Sequence, residues 1–101
     1  MQKAIQIHPR DNVATLTGDT AASEEVGVLS PQGELFLVIK LKAKIPCGHK
    51  LAITPIGIGD KIVKYGETIG IASTAITAGE WVHTHNVSSE RMSEDKRQVR
   101  L

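Results

Sequence analysis

PIGIGDKIVKYGETIGIASTAITAG, residues 55–79, places glycine at 57, 59, 66, 70 and 79, with short apolar pairs between. Ile62-Val63, Thr68-Ile69 and Ile71-Ala72 are two-residue islands, too short to build an apolar stripe at helical spacing. Each glycine inside a helix would cost about 1 kcal/mol relative to alanine, so this density opposes helix throughout the stretch. Short strands joined by frequent turns satisfy both constraints, and they imply an all-β barrel or clip with long irregular connections.

The flanking sequence agrees. Ala4 to His8 alternates apolar with polar and stops at Pro9, and Asn12 to Leu16 does the same before Gly18. Glu25 to Leu29 ends at Ser30-Pro31-Gln32-Gly33, a turn of the proline-then-glycine type. Leu35 to Leu41 is the longest apolar run and reads as a buried strand. After the break at Ile45-Pro46-Cys47-Gly48, Lys50 to Thr54 reads as another strand. The pair His83 and His85, with Trp81, Val82 and Val87 around them, is expected on a short strand that points both imidazoles from one face.

Composition narrows the function. A chain of 101 residues is one domain with a modest core. Its formal net charge of +1, and only Phe36, Tyr65 and Trp81 as aromatics, argue against nucleic acid or an anionic membrane as a partner. The single cysteine, Cys47, excludes an internal disulfide, fits a reducing compartment, and reads as a small buried residue. No charged-then-apolar leader opens the chain, and no apolar run approaches the roughly 18–20 residues of a membrane span. A soluble cytoplasmic protein is the expectation. Residues 1–87 form the expected domain, and the polar run 88–101 a tail that is either disordered or, as the favoured reading, ordered only on a partner.

Four clusters carry side chains capable of chemistry. His8-Pro9-Arg10-Asp11-Asn12 is a polar knot between two strands, although Asp11 and Asn12 also suit a plain turn. Cys47-Gly48-His49-Lys50 sets an imidazole beside an ammonium, and on a strand these two face opposite ways. Lys64-Tyr65-Gly66-Glu67 offers a cation, a phenol and a tight turn. His83-Thr84-His85-Asn86 offers two imidazoles, suited to proton transfer near neutral pH or to transition metals. On residues alone, the histidines read equally as surface groups on a strand. Structural-zinc spacing is absent, and Gly57-Ile58-Gly59-Asp60 lacks the rest of a phosphate-binding motif.

Taken in order, the clusters form a longer pattern. Asp11-Asn12-Val13-Ala14, Ile45-Pro46-Cys47-Gly48-His49-Lys50, Lys64-Tyr65-Gly66-Glu67-Thr68-Ile69-Gly70 and Ala78-Gly79-Glu80-Trp81-Val82-His83-Thr84-His85-Asn86 closely resemble the amino-terminal SAF domain of altronate and galactarate dehydratases. The same module is similar to the small (alpha) subunit of sulfolactate sulfo-lyase. The resemblance covers roughly residues 8 to 87. Cys47 departs from it, standing where a small residue such as alanine is expected, and Ser30 to Lys44 matches poorly.

The resemblance implies a β-clip fold, shared with type III antifreeze proteins and the tail domain of sialic acid synthase. It implies a small subunit completed by a separate large catalytic subunit. The reaction would be β-elimination on a hydroxy acid: loss of water from a sugar acid such as altronate or galactarate, or of sulfite from sulfolactate. A divalent metal, iron or manganese, would be held mainly by the large subunit. In that scheme His83 and His85 are the acid/base groups or, alternatively, metal ligands. Asp11 and Asn86 would orient them or bind substrate hydroxyls, with Asn12 also on the substrate. Lys64 and His49 would bind the carboxylate, and Tyr65 would donate a hydrogen bond. A different class of function, a non-catalytic module for a carbohydrate or protein, fits the same domain type. Exposed apolar strands in so small a β module also allow a homo-oligomer.

Overall fold

A computed structural model of the chain describes residues 1–89, and among them there is no helix. The strands are β1 (Gln2–Ile5), β2 (Val13–Leu16), β3 (Glu25–Leu29), β4 (Leu35–Lys40), β5 (Lys50–Ala52), β6 (Lys61–Lys64), β7 (Glu67–Ala72), β8 (Trp81–Val82) and β9 (Val87–Ser88). They form a six-stranded sheet in the order β4-β3-β1-β2-β5-β8 and a three-stranded sheet in the order β6-β7-β9. The all-β expectation holds, and the short, curled sheets have the form of a SAF-like β-clip. Of the tail expected from residue 88, Ser88 lies in β9 and residues 90–101 fall outside the described residues.

Two apolar cores meet at β2 and β5. Ala14, Leu16 and Leu51 belong to one, with Val26, Val28 and Ile45. Val13 and Ala52 belong to the other, with Ile62, Ile76 and Val82. Successive residues on a strand point to opposite faces, so β2 and β5 are walls common to both cores.

The second half of the chain is built on a pseudo-two-fold repeat offset by twenty residues. Residues 51–62 (LAITPIGIGDKI) align with 71–82 (IASTAITAGEWV), identical at Ala52/Ala72, Thr54/Thr74, Ile56/Ile76 and Gly59/Gly79. Ile56 and Ile76 exchange both backbone hydrogen bonds across the pseudo-axis, each at 2.8 Å. The amides of Gly59 and Gly79 donate to the carbonyls of Ala72 and Ala52, each at 2.8 Å. The correspondence extends to two asparagines. Asn12 accepts from the Val63 amide and donates to the Lys61 carbonyl; Asn86 accepts from the His83 amide and donates to the Trp81 carbonyl. Each amide side chain thus fastens the residues just past a corner, reproducing the pairing that a further strand residue would supply.

Three sequence expectations change. β4 is an edge strand rather than a buried one: Leu35, Phe36 and Val38 are exposed and only Ile39 is buried, because β4 pairs β3 alone. Cys47 is exposed, its amide donating to Asp19 Oδ1 in an outward loop rather than packing inside. His83 to Asn86 is not a strand; β8 stops at Val82 and the chain bends and turns there before β9.

Candidate functional site

The turn between β8 and β9 is held from inside. Asn86 is 3% exposed, and its two side-chain hydrogen bonds are joined by the Asn86 amide donating to the His83 carbonyl. With the backbone closed on Asn86, the side chains at 83 and 85 project from a turn rather than from a strand. Both reach Trp81: His83 stacks nearly flat on the indole (5.3 Å, 11°) and His85 tilts against it (5.6 Å, 58°). His49, at the entry to β5, stands edge-on to both Trp81 (5.4 Å) and His83 (5.0 Å). Three imidazoles therefore converge on one indole.

Beside this cluster lies a shallow pocket of about 310 Å³. Lys50 and His83 line it with the hydroxyl residues Thr84 and Ser88, and Ile69 and Val87 form its apolar side. Partial burial, then the charge of Lys64, holds the Lys50 ammonium below its ordinary value of 10.5. Burial, then His49, Lys50 and His85, likewise holds the His83 imidazole below 6.5. At neutral pH His83 is a neutral ring: a proton acceptor, backed by an ammonium.

Lys64 reaches this neighbourhood through its field on Lys50, and its Nζ also sits 5.0 Å from the centre of the Tyr65 ring. Tyr65 is 58% exposed and occupies a left-handed conformation (φ 59°), followed by Gly66 (φ 73°). These two residues are the loop of the β6–β7 hairpin, and positive φ at both is the type I′ geometry that matches strand twist.

Asp11 is taken up by backbone amides. It is 4% exposed, and its carboxylate accepts from the amides of His8, Tyr65 and Gly66 at 2.8–3.1 Å. It pins the β6–β7 loop to the corner before β2. Asp11, Asn12 and Asn86 therefore hold the frame, whereas His49, His83, His85 and Lys64 gather around Trp81 and the pocket. Sequence reasoning missed Lys50 and Trp81 as site residues. Strand alternation argued against Lys50 beside His49; the bend after β8 brings His83 to both. The twenty-residue repeat was one available signal, since it pairs Trp81 with Lys61 and so marks the indole as a departure from the repeat.

Among the described residues, no three His, Cys, Asp or Glu side chains converge as a metal-ligand set. His83 and His85 both lie against Trp81 instead. On their own, the described residues offer no complete ligand set for the divalent metal expected from the resemblance. Nor, among the described residues, is any helix long and apolar enough to cross a membrane.

Comparison with known proteins gives the family. The altronate/galactarate dehydratase SAF domain matches residues 2–90. Altronate dehydratase of Escherichia coli (strain K12) is 40% identical over 82 residues, 81% of this chain and 15% of that protein. Altronate dehydratase of Bacillus subtilis (strain 168) is 37% identical over 89 residues, 88% of this chain and 17% of that protein. The alpha subunit of (2R)-sulfolactate sulfo-lyase from Paracoccus pantotrophus is 44% identical over 50 residues, 50% of this chain and 75% of that protein. The chain thus spans about one-sixth of the dehydratases it matches.

Proposed function

This chain belongs to the altronate/galactarate dehydratase SAF-domain family, and we propose that it is the small subunit of a two-component lyase acting on a hydroxy acid. The partner is a large subunit. The reaction is β-elimination, loss of water from a sugar acid or of sulfite from its sulfonated counterpart. The observation that carries this reading is the neutral, cation-backed His83 ring at the edge of a pocket.

A proton α to a carboxylate is very weakly acidic, so its removal needs a base already deprotonated and positive charge near the developing enediolate. His83 supplies the base. Its flat stack on Trp81 fixes the ring plane and directs its edge to the substrate. As the proton moves to His83, the carbon–oxygen bond at the β carbon breaks and the leaving hydroxide takes a proton to depart as water. His85, on the same indole but exposed, is placed to deliver that proton. Lys64 and His49 bind the carboxylate, Lys64 with its charge, and the exposed Tyr65 hydroxyl is available to a substrate hydroxyl. We assign the divalent iron or manganese to the large subunit.

The test is co-expression with the large subunit, followed by elimination assays over a panel of sugar acids and sulfolactate. His83→Ala should abolish elimination by the complex while this subunit stays folded. Full activity of that variant would overturn the reading, as would failure of any large subunit to co-purify.

A further inference from the structure

The pocket beside the imidazole cluster has a cation but no carboxylate among its described lining residues. Lys50 lines it beside the neutral His83 ring, Lys64 stands near enough to act on Lys50, and no Asp or Glu is among its described lining residues. Among the described residues, neither Lys50 nor Lys64 has an ion-pair partner. Lys50 is only half-buried, lies on β5 and lines the pocket. Cations brought together without a carboxylate form a site that an anion completes.

The rest of the lining says which anion. Thr84 is exposed, and its hydroxyl makes no hydrogen bond among the described residues. Ser88 Oγ donates only a long bond, 3.4 Å, to the Ile71 carbonyl, leaving its lone pairs able to accept. Ile69 and Val87 close one side with hydrocarbon. A volume near 310 Å³ stands at the small end of ligand pockets. A cation, two hydroxyls and an apolar wall in so small a space match a compact hydroxycarboxylate: charge to the ammonium, hydroxyls to Thr84 and Ser88, carbon chain along Ile69 and Val87.

We propose that this pocket is the substrate-carboxylate subsite, with Lys50 the direct charge partner and Thr84 and Ser88 the hydroxyl-recognising groups. The substrate class rests on the lyase reading; the anion site itself does not. It adds to the reaction a residue that neither the histidine pair nor the Lys64 loop supplies.

Calorimetric titration of the full chain at constant ionic strength tests it, with tartrate, succinate and sulfate as probes. Tartrate should bind saturably, and succinate and sulfate more weakly. Lys50→Met, which keeps the stem, should weaken tartrate about 10- to 100-fold, as loss of one charged hydrogen bond does. Lys50→Arg should restore most of it. Thr84→Val, in an exposed turn where folding is not at stake, should narrow the preference for tartrate over succinate. Absence of saturable tartrate binding, equal binding by Lys50→Met, or equal affinity for all three anions would each overturn the proposal. Any of these results would leave the elimination assay of the assembled complex to judge the lyase reading separately.

Discussion

At the residue scale, the field on His83 makes two pH predictions. Its imidazole gives up its proton at lower pH than in the unfolded chain, because of burial first and then His49, Lys50 and His85. Between the folded value and 6.5 the unfolded chain therefore binds more protons, and stability rises with pH across that window and is level above it. Denaturant titrations at several pH values should show this rise in the natural chain and a smaller one in His83→Gln. An equal rise in both would assign the effect to other groups. In the assembled complex the acid limb of kcat/KM should lie below 6.5, and Lys50→Met, by removing one of the depressing charges, should move it upward. The histidine pair stood out in the sequence as a candidate site only through its place in the longer pattern of motifs. The part of Lys50 was not legible, because strand alternation turns it away from His49 and only the bend after β8 brings His83 to both.

At the element scale, the β6–β7 loop places a tyrosine where backbone geometry favours asparagine. Tyr65 at φ 59° bears the left-handed penalty of about 1–2 kcal/mol that asparagine largely avoids. Tyr65→Asn should therefore raise the melting temperature by a few degrees, read by calorimetry, while lowering elimination by the complex if the phenol meets substrate. Strain of this kind collects where function holds an unfavourable residue in place. A gain in stability with unchanged activity would show that the phenol has no part in the reaction. The opposing element is the Asn86 fastener. Asn86→Ala loses two side-chain hydrogen bonds at a buried position and should cost about 2–3 kcal/mol in denaturant titrations. Strand content was legible because glycine spacing excludes helix, and the Ser30–Gly33 turn appears as expected, with the Gly33 amide donating to the Ser30 carbonyl. The exposure of β4 was not legible: an apolar run reports that a strand forms, whereas its burial depends on which strands flank it.

At the scale of the whole molecule, the pseudo-two-fold repeat explains why so short a chain can present a formed site, and it supplies its own control. Gly59 and Gly79 occupy equivalent turns with nearly equal conformations, φ 84° and 90°. Their surroundings differ. A methyl group at 59 would meet nothing within 4 Å, whereas one at 79 would lie 2.5 Å from the Lys40 carbonyl oxygen and 3.1 Å from Ile39 Cγ2. Gly59→Ala therefore tests the backbone alone and should cost about 1–2 kcal/mol. Gly79→Ala adds the displacement of the end of β4, including the bond from the Lys42 amide to the Gly79 carbonyl, and should cost at least about 1–3 kcal/mol more. The first glycine belongs to the repeat, the second also to its docking against the β3–β4 hairpin. Because Gly79 lies just ahead of Trp81, its variant should also disturb the imidazole stack and quench or shift the indole fluorescence, while Gly59→Ala leaves it unchanged. Equal costs and equal spectra would mean that the two halves are docked independently of β4, and the contact at Lys40 would then contribute nothing to holding the site.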